Sequence, residues 1–185
     1  MIISQAQCRP EEQMSETETK QDMCRKQKMS PEQILREGTP VQVKPSGWSM
    51  YPMFVPGRDW AVIAPVRECV SPDVKERRGL RSVRSLRCGE VALFRRESGI
   101  LVLHRICRVE KDGFWFIGDN QTQIEKNVAP EQIIGLLTGF VRKGKMHSTD
   151  EVLYRALSRI WLFLRPFRPM FHRVSSVFRR KAVVY

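Results

Sequence analysis

The chain has 185 residues, enough for one domain with a buried core plus tails. Its hydrophobic content of 42% is ordinary, but its net charge of +12 implies an anionic partner, either a membrane surface or nucleic acid. Five cysteines without paired spacing argue against a disulfide framework or a zinc site, no run approaches the roughly 18 apolar residues of a transmembrane helix, and the polar first 30 residues read as no secretory leader.

In chain order, residues 1–29 are rich in Glu, Gln, Lys and Thr and are expected to stay disordered. Ser30-Pro31-Glu32-Gln33 predicts a helix start, with Ser30 as N-cap and Gln33 closing a capping box; Gly38 and Pro40 stop it. Val41 and Val43 then alternate with polar neighbours, as in a strand. "SGWSMYP", Ser46 to Pro52, fits neither helix nor strand. Gly47 permits a sharp turn, Pro52 prevents a helix after it, and Trp48 and Met50 are expected to anchor the turn by burial. Ser49 is therefore either a turn residue or a nucleophile, and such a turn aims N–H groups, its own included, at a developing oxyanion.

Trp60–Ala64 is a short apolar run, preceded by Asp59, read as a structural carboxylate. Residues 67–88 read as a basic insertion, with Lys75–Arg87 as a loop or marginal helix. Glu90–Phe94, Ile100–Val109, Phe114–Ile117 and Ile133–Val141 are strand candidates. The pattern predicts a mainly β domain, a folded or barrel-like antiparallel sheet, over residues 30–147. Asp112-Gly113 between apolar runs is a hairpin signal. As a two-residue loop it sets Lys111 opposite Phe114 and His104 opposite Gln121, with Asp119 the diagonal neighbour of His104 on the same face. Arg105 alternates to the other face, exposed or paired. His104 is the one strand histidine; His147 lies in a polar linker and His172 in the tail.

Residues 148–185 form a basic tail, and residues 151–185 carry 8 basic and 1 acidic side chains. Leu153, Leu157, Ile160, Trp161 and Leu164 recur at helical spacing with Arg155 and Arg159 between them. Pro166 and Pro169 interrupt, and Phe171, Val174 and Phe178 follow. The pattern predicts a pair of helices lying in the plane of an anionic membrane, each basic residue contributing about 1 kcal/mol. The competing reading packs the first segment on the β domain.

Four stretches together resemble the signal peptidase I and LexA-type serine protease superfamily. "GWSMYPMFVPGRDWAVI" resembles its serine box, "GEVALFRR" the strand after it, "LVLHRICRV" the histidine box of the Ser–His signal peptidases (archaeal, endoplasmic-reticulum and SipW-like), and "FIGDNQTQIE" their G-D-N box. "IIGLLTGFV" resembles the closing strand, and the match covers about residues 31–143. The resemblance implies Ser49 as nucleophile and His104 as base. It places the G-D-N aspartate on Asp119 and the orienting carboxylate on Glu125, where the family has Asp, so the third member is open between Asp119 and Glu125. It implies a serine endopeptidase that cleaves an extended leader or signal-like peptide after small residues, with no cofactor and no metal. The family's transmembrane helix before the serine box is not seen, so a cytoplasmic, peripheral place on the inner face of the membrane is expected, held through residues 151–185.

Two other functions compete. A LexA-like self-cleaving regulator uses a lysine base, and Ile100–Val109 holds no lysine. A nucleic-acid binder would use residues 75–87 and the tail, but aromatic residues are not interleaved with the loop's arginines, so nucleic acid is not the expected partner.

Overall fold

The computed structural model describes residues 3–8, 29–71 and 79–164. The first helix, α1 (Pro31–Arg36), forms as its sequence predicts. Ser30 Oγ accepts from Gln33 N–H at 3.3 Å and Gln33 Oε1 accepts from Ser30 N–H at 2.8 Å. Gly38, at φ 78°, ends it by donating to the Leu35 carbonyl, and α1 buries Ile34 and Leu35.

The rest is mainly β. In chain order the strands are β1 (Ile3–Cys8), β2 (Val41–Pro45), β3 (Asp59–Pro65), β4 (Val91–Arg95), β5 (Leu101–Val109), β6 (Phe114–Ile117), β7 (Ile124–Val128), β8 (Ile133–Arg142) and β9 (Lys145–Ser148). They join one antiparallel sheet in the order β1-β2-β3-β8-β4-β5-β6-β7, with β9 on β8. β8 is the shared strand: its first half lies between β3 and β4, its second between β3 and β9. Val41, Val43, Leu93, Phe94, Leu103, Ile106 and Phe116 fill the core with Ile34 and Leu35. Each such side chain contributes about 1.5–3 kcal/mol by leaving water.

Three strands are not legible as apolar runs. β7 ("IEKNV") and β9 ("KMHS") are polar and half exposed, so alternation does not mark them. β1 corrects the expectation that residues 1–29 are disordered throughout. Its segment carries no charge, and it pairs antiparallel with β2 from Ile3↔Pro45 to Cys8↔Val41. The insertion also has more structure than a solvated loop: Glu68 accepts from Val83 N–H at 2.8 Å, and Cys69, Val70, Val83 and Leu86 are buried.

The β5–β6 hairpin departs from its expected register. Val109 pairs with Phe114 across a four-residue loop, Glu110 to Gly113, and Cys107 bulges, so Arg105 lies opposite Ile117 rather than Asn120. Gly113 does not take the positive φ of a two-residue turn; a Cβ there would lie 3.1 Å from the Val128 carbonyl. A shift by three residues is odd, and in a pleated sheet an odd shift exchanges faces.

The second helix, α2 (Val152–Phe163), divides its residues differently from the predicted stripe. Tyr154 and Ser158 are buried against the sheet and Trp161 is half-buried, while Leu157 and Ile160 face outward. One face of α2 therefore packs on the domain. The predicted second segment, Phe171 to Phe178, lies outside the described residues. Among the described residues no helix is long and apolar enough to cross a membrane.

Asp59 is fully buried at the start of β3, where it accepts from Val55 N–H, Arg58 and Arg142. Burial raises its pKa, but the hydrogen bonds from Arg58, Arg142 and Val55 outweigh that and bring it from 3.8 to about 2. Its contribution is present above the unfolded value and lost as pH falls through the folded one, and amounts to about 2 kcal/mol. Asp59→Asn is expected to lower the unfolding free energy by about that much at pH 7. The gap between variant and wild type should close toward pH 2, as urea denaturation at both pH values will show.

Candidate active site

Ser49 sits in the turn after β2. Tyr51 N–H donates to the Trp48 carbonyl at 3.1 Å and Phe54 N–H to the Met50 carbonyl at 2.8 Å. Met50 and Phe54 are fully buried and fasten the turn, whereas Trp48 is 59% exposed, against the expectation that it anchors by burial. The loop after β6 holds Ser49 from the other side: Asn120 N–H donates to the Ser49 carbonyl at 2.7 Å. The approach is close enough that a Cβ on Gly118 would lie 2.7 Å from that oxygen, so only glycine fits there.

His104, on β5, brings Nε2 to 3.1 Å from Ser49 Oγ. Its Nδ1 lies 2.9 Å from Glu125 Oε1 on β7, though short of in-line hydrogen-bond geometry. The pleat explains this grouping. Ile106 pairs with Phe116 and Phe116 with Glu125, so Glu125 shares the face of His104. Phe94 joins that face, its ring stacked on Phe116 at 4.4 Å and 6.2 Å from the imidazole.

Asp119 does not reach His104. Ion-paired to Arg105 at 2.7 and 2.8 Å, it lies on the opposite face, where both residues are fully buried. This corrects the sequence-derived register, in which Asp119 lay beside the histidine; the bulge at Cys107 and the wider turn move it across the sheet. Of the two carboxylates left open, Glu125 is the one at the imidazole. Arg105 is thus paired rather than exposed, and it also donates to the Gly89 carbonyl at 2.7 Å. α2 covers the pair with Tyr154, and Trp161 Nε1–H donates to the Asp119 carbonyl at 3.1 Å.

Arg96 was not foreseen. Its guanidinium grips Glu125 with two bonds of 2.6 and 2.7 Å. The signal was available: β4 pairs Ala92 with His104 and Phe94 with Val102, and Arg96 follows two residues later on the same side of the pleat, before the Ser98-Gly99 turn.

The electrostatics follow from these contacts. Burial lowers the His104 pKa below its ordinary 6.5, and the Glu125 contact opposes this without reversing it. Burial raises the Glu125 pKa, but bonding to His104 and Arg96 outweighs it and leaves the carboxyl at about 2. At neutral pH the imidazole is uncharged and the carboxylate ionised. The neutral tautomer that accepts from Ser49 at Nε2 is the one that carries its proton on Nδ1, on the side of Glu125. Asp59 lies apart from the imidazole and holds the loop after Ser49 through Val55, as a structural carboxylate would. Among the described residues no group of three or more His, Cys, Asp and Glu is placed to hold a metal ion.

Because Glu125 raises the His104 pKa, Glu125→Gln is expected to lower it further, which an NMR titration of the imidazole will measure. No family model, curated protein or solved structure matches the chain.

Proposed function

We propose that the chain is a serine endopeptidase of signal-peptidase type, with Ser49 as nucleophile, His104 as general base and Glu125 orienting the base. One observation carries this reading: Ser49 Oγ lies 3.1 Å from His104 Nε2, and His104 Nδ1 lies 2.9 Å from Glu125 Oε1. A serine hydroxyl is a weak nucleophile until an adjacent base takes its proton. His104 accepts that proton as Oγ attacks the peptide carbonyl, and Glu125 stabilises the imidazolium without becoming protonated. His104 then gives the proton to the leaving amine, and an acyl-serine remains. Water attacks the acyl carbon with His104 again as base, releasing the carboxylic acid and restoring Ser49. Among the described residues no backbone carbonyl accepts from the Ser49 N–H, which suits that group to the oxyanion.

The antiparallel sheet with Ser49, His104 and Glu125 brought together from three parts of the chain is consistent with the catalytic fold of that superfamily. By the same resemblance the substrate is an extended leader or signal-like peptide cut after small residues, at the inner membrane face. Such a peptide binds by adding a strand to a sheet edge. β2 ends at Pro45, four residues before Ser49, and its outer edge carries β1. The substrate strand is assigned to that edge, with β1 as its competitor.

The first test is cleavage of a peptide carrying an Ala-x-Ala site. Ser49→Ala should reduce the rate to background and His104→Ala by roughly 10²- to 10⁴-fold; cleavage by Ser49→Ala at the wild-type rate would refute the mechanism. Since burial depresses the His104 pKa, kcat/KM should hold on acidification until the pH is below 6.5, then fall as the imidazole protonates. Deleting residues 2–8 frees the β2 edge and should raise kcat/KM; an unchanged value places the substrate elsewhere.

A further inference from the structure

The outer face of α2 is turned away from the described residues of the domain it packs on. Val152 is 83% exposed, Phe163 79%, Ile160 54% and Leu157 50%. Val152, Ala156, Ile160 and Phe163 are spaced four, four and three residues apart, so they form one stripe along the helix. A surface helix packed through its other side ordinarily turns polar residues to water. Here the polar requirement is met along one border instead, where Arg155 and Arg159 are both exposed and four residues apart.

We infer that this face of α2 is a docking surface for an anionic phospholipid bilayer. Charge selects that occupant over an apolar protein groove. α2 contains no acidic residue, and residues 151–185 carry 8 basic side chains against 1 acidic. A stripe of aliphatic and aromatic groups bordered by arginines matches the boundary between acyl chains and anionic headgroups. The apolar groups enter, and the guanidinium groups rise on their aliphatic stems to the phosphates. Each basic residue adds about 1 kcal/mol at such a surface. At 12 residues the helix spans roughly 18 Å, so it lies in the plane.

The inner face of the same helix ties this surface to the candidate site. Trp161 holds the Asp119 carbonyl, and Asn120, the next residue, holds the Ser49 carbonyl. Docking through α2 therefore leaves the helix between the lipid and the Ser49 loop. The docking itself does not depend on the peptidase reading, because it uses exposed residues of α2 and not Ser49, His104 or Glu125.

The test is sedimentation of the full chain with vesicles of phosphatidylcholine alone or mixed with phosphatidylglycerol. The expected result is binding to the anionic vesicles only, reduced about tenfold or more by Ile160→Glu with Phe163→Glu, and weakened by salt and by Arg155→Gln with Arg159→Gln. These side chains are exposed, and thermal denaturation checks that the variants stay folded. A second variant, Ile160→Ser with Phe163→Ser, removes the apolar groups without adding charge and should also weaken binding. Failure to bind anionic vesicles, equal binding to neutral ones, or wild-type binding by the stripe variants would overturn the inference. So would self-association of the chain in lipid-free buffer that Phe163→Glu abolishes, which would make the occupant a second copy.

Discussion

Successive side chains of β5 point to opposite faces of the sheet, and that alternation organises the protein. His104 faces one way with Phe94, Phe116 and Glu125; Arg105 faces the other with Asp119. Two charged systems are thereby separated by a single sheet of backbone. One is a partly accessible line that includes a buried neutral imidazole. The other is a closed ion pair. A one-residue slip in β5 would exchange them, so the bulge at Cys107 and the four-residue turn after Val109 decide which carboxylate the histidine meets.

The Arg105–Asp119 pair is the less forgiving of the two systems. Both groups have left water completely, and removing one strands the other's charge in the interior, a loss of about 3–5 kcal/mol in comparable cases. The pair also has a positional consequence. Asp119 lies between Gly118, which lets the backbone approach Ser49, and Asn120, which bonds the Ser49 carbonyl. Arg105 therefore fixes from one face of the sheet a loop that steadies the serine opposite His104. α2 closes this arrangement from outside through Tyr154 and Trp161.

On the other face the charges are graded. Arg96 keeps Glu125 ionised, Glu125 meets the Nδ1 side of His104, and aromatic burial keeps the imidazole neutral with Nε2 turned to Ser49. The order runs from a half-exposed guanidinium to a buried imidazole, so charge stays near water while the proton acceptor stays dry. A glutamate reaches one methylene further than an aspartate, which suits a carboxylate on β7, separated from β5 by β6.

The sequence by itself determined the local features. The Ser30 capping box, the Gly38 stop, the apolar strands and the turn around Ser49 follow from side-chain chemistry over a few residues. It also singled out Ser49 and His104 as a candidate nucleophile and base, through the stretches that resemble the serine protease superfamily. Tertiary structure decided the rest. The polar edge strands β7 and β9 exist because neighbouring strands supply their hydrogen bonds, which no periodicity records. β1 is strand because β2 offers an edge, although residues 1–29 as a whole read as too polar to fold. The choice of Glu125 over Asp119 depended on one bulged residue, which no pattern in "LVLHRICRV" announces. The sidedness of α2 depended on the Asp119 carbonyl that holds Trp161 and the Phe140 ring that meets Tyr154, so Trp161 turned inward and Ile160 outward despite being neighbours in one apolar run.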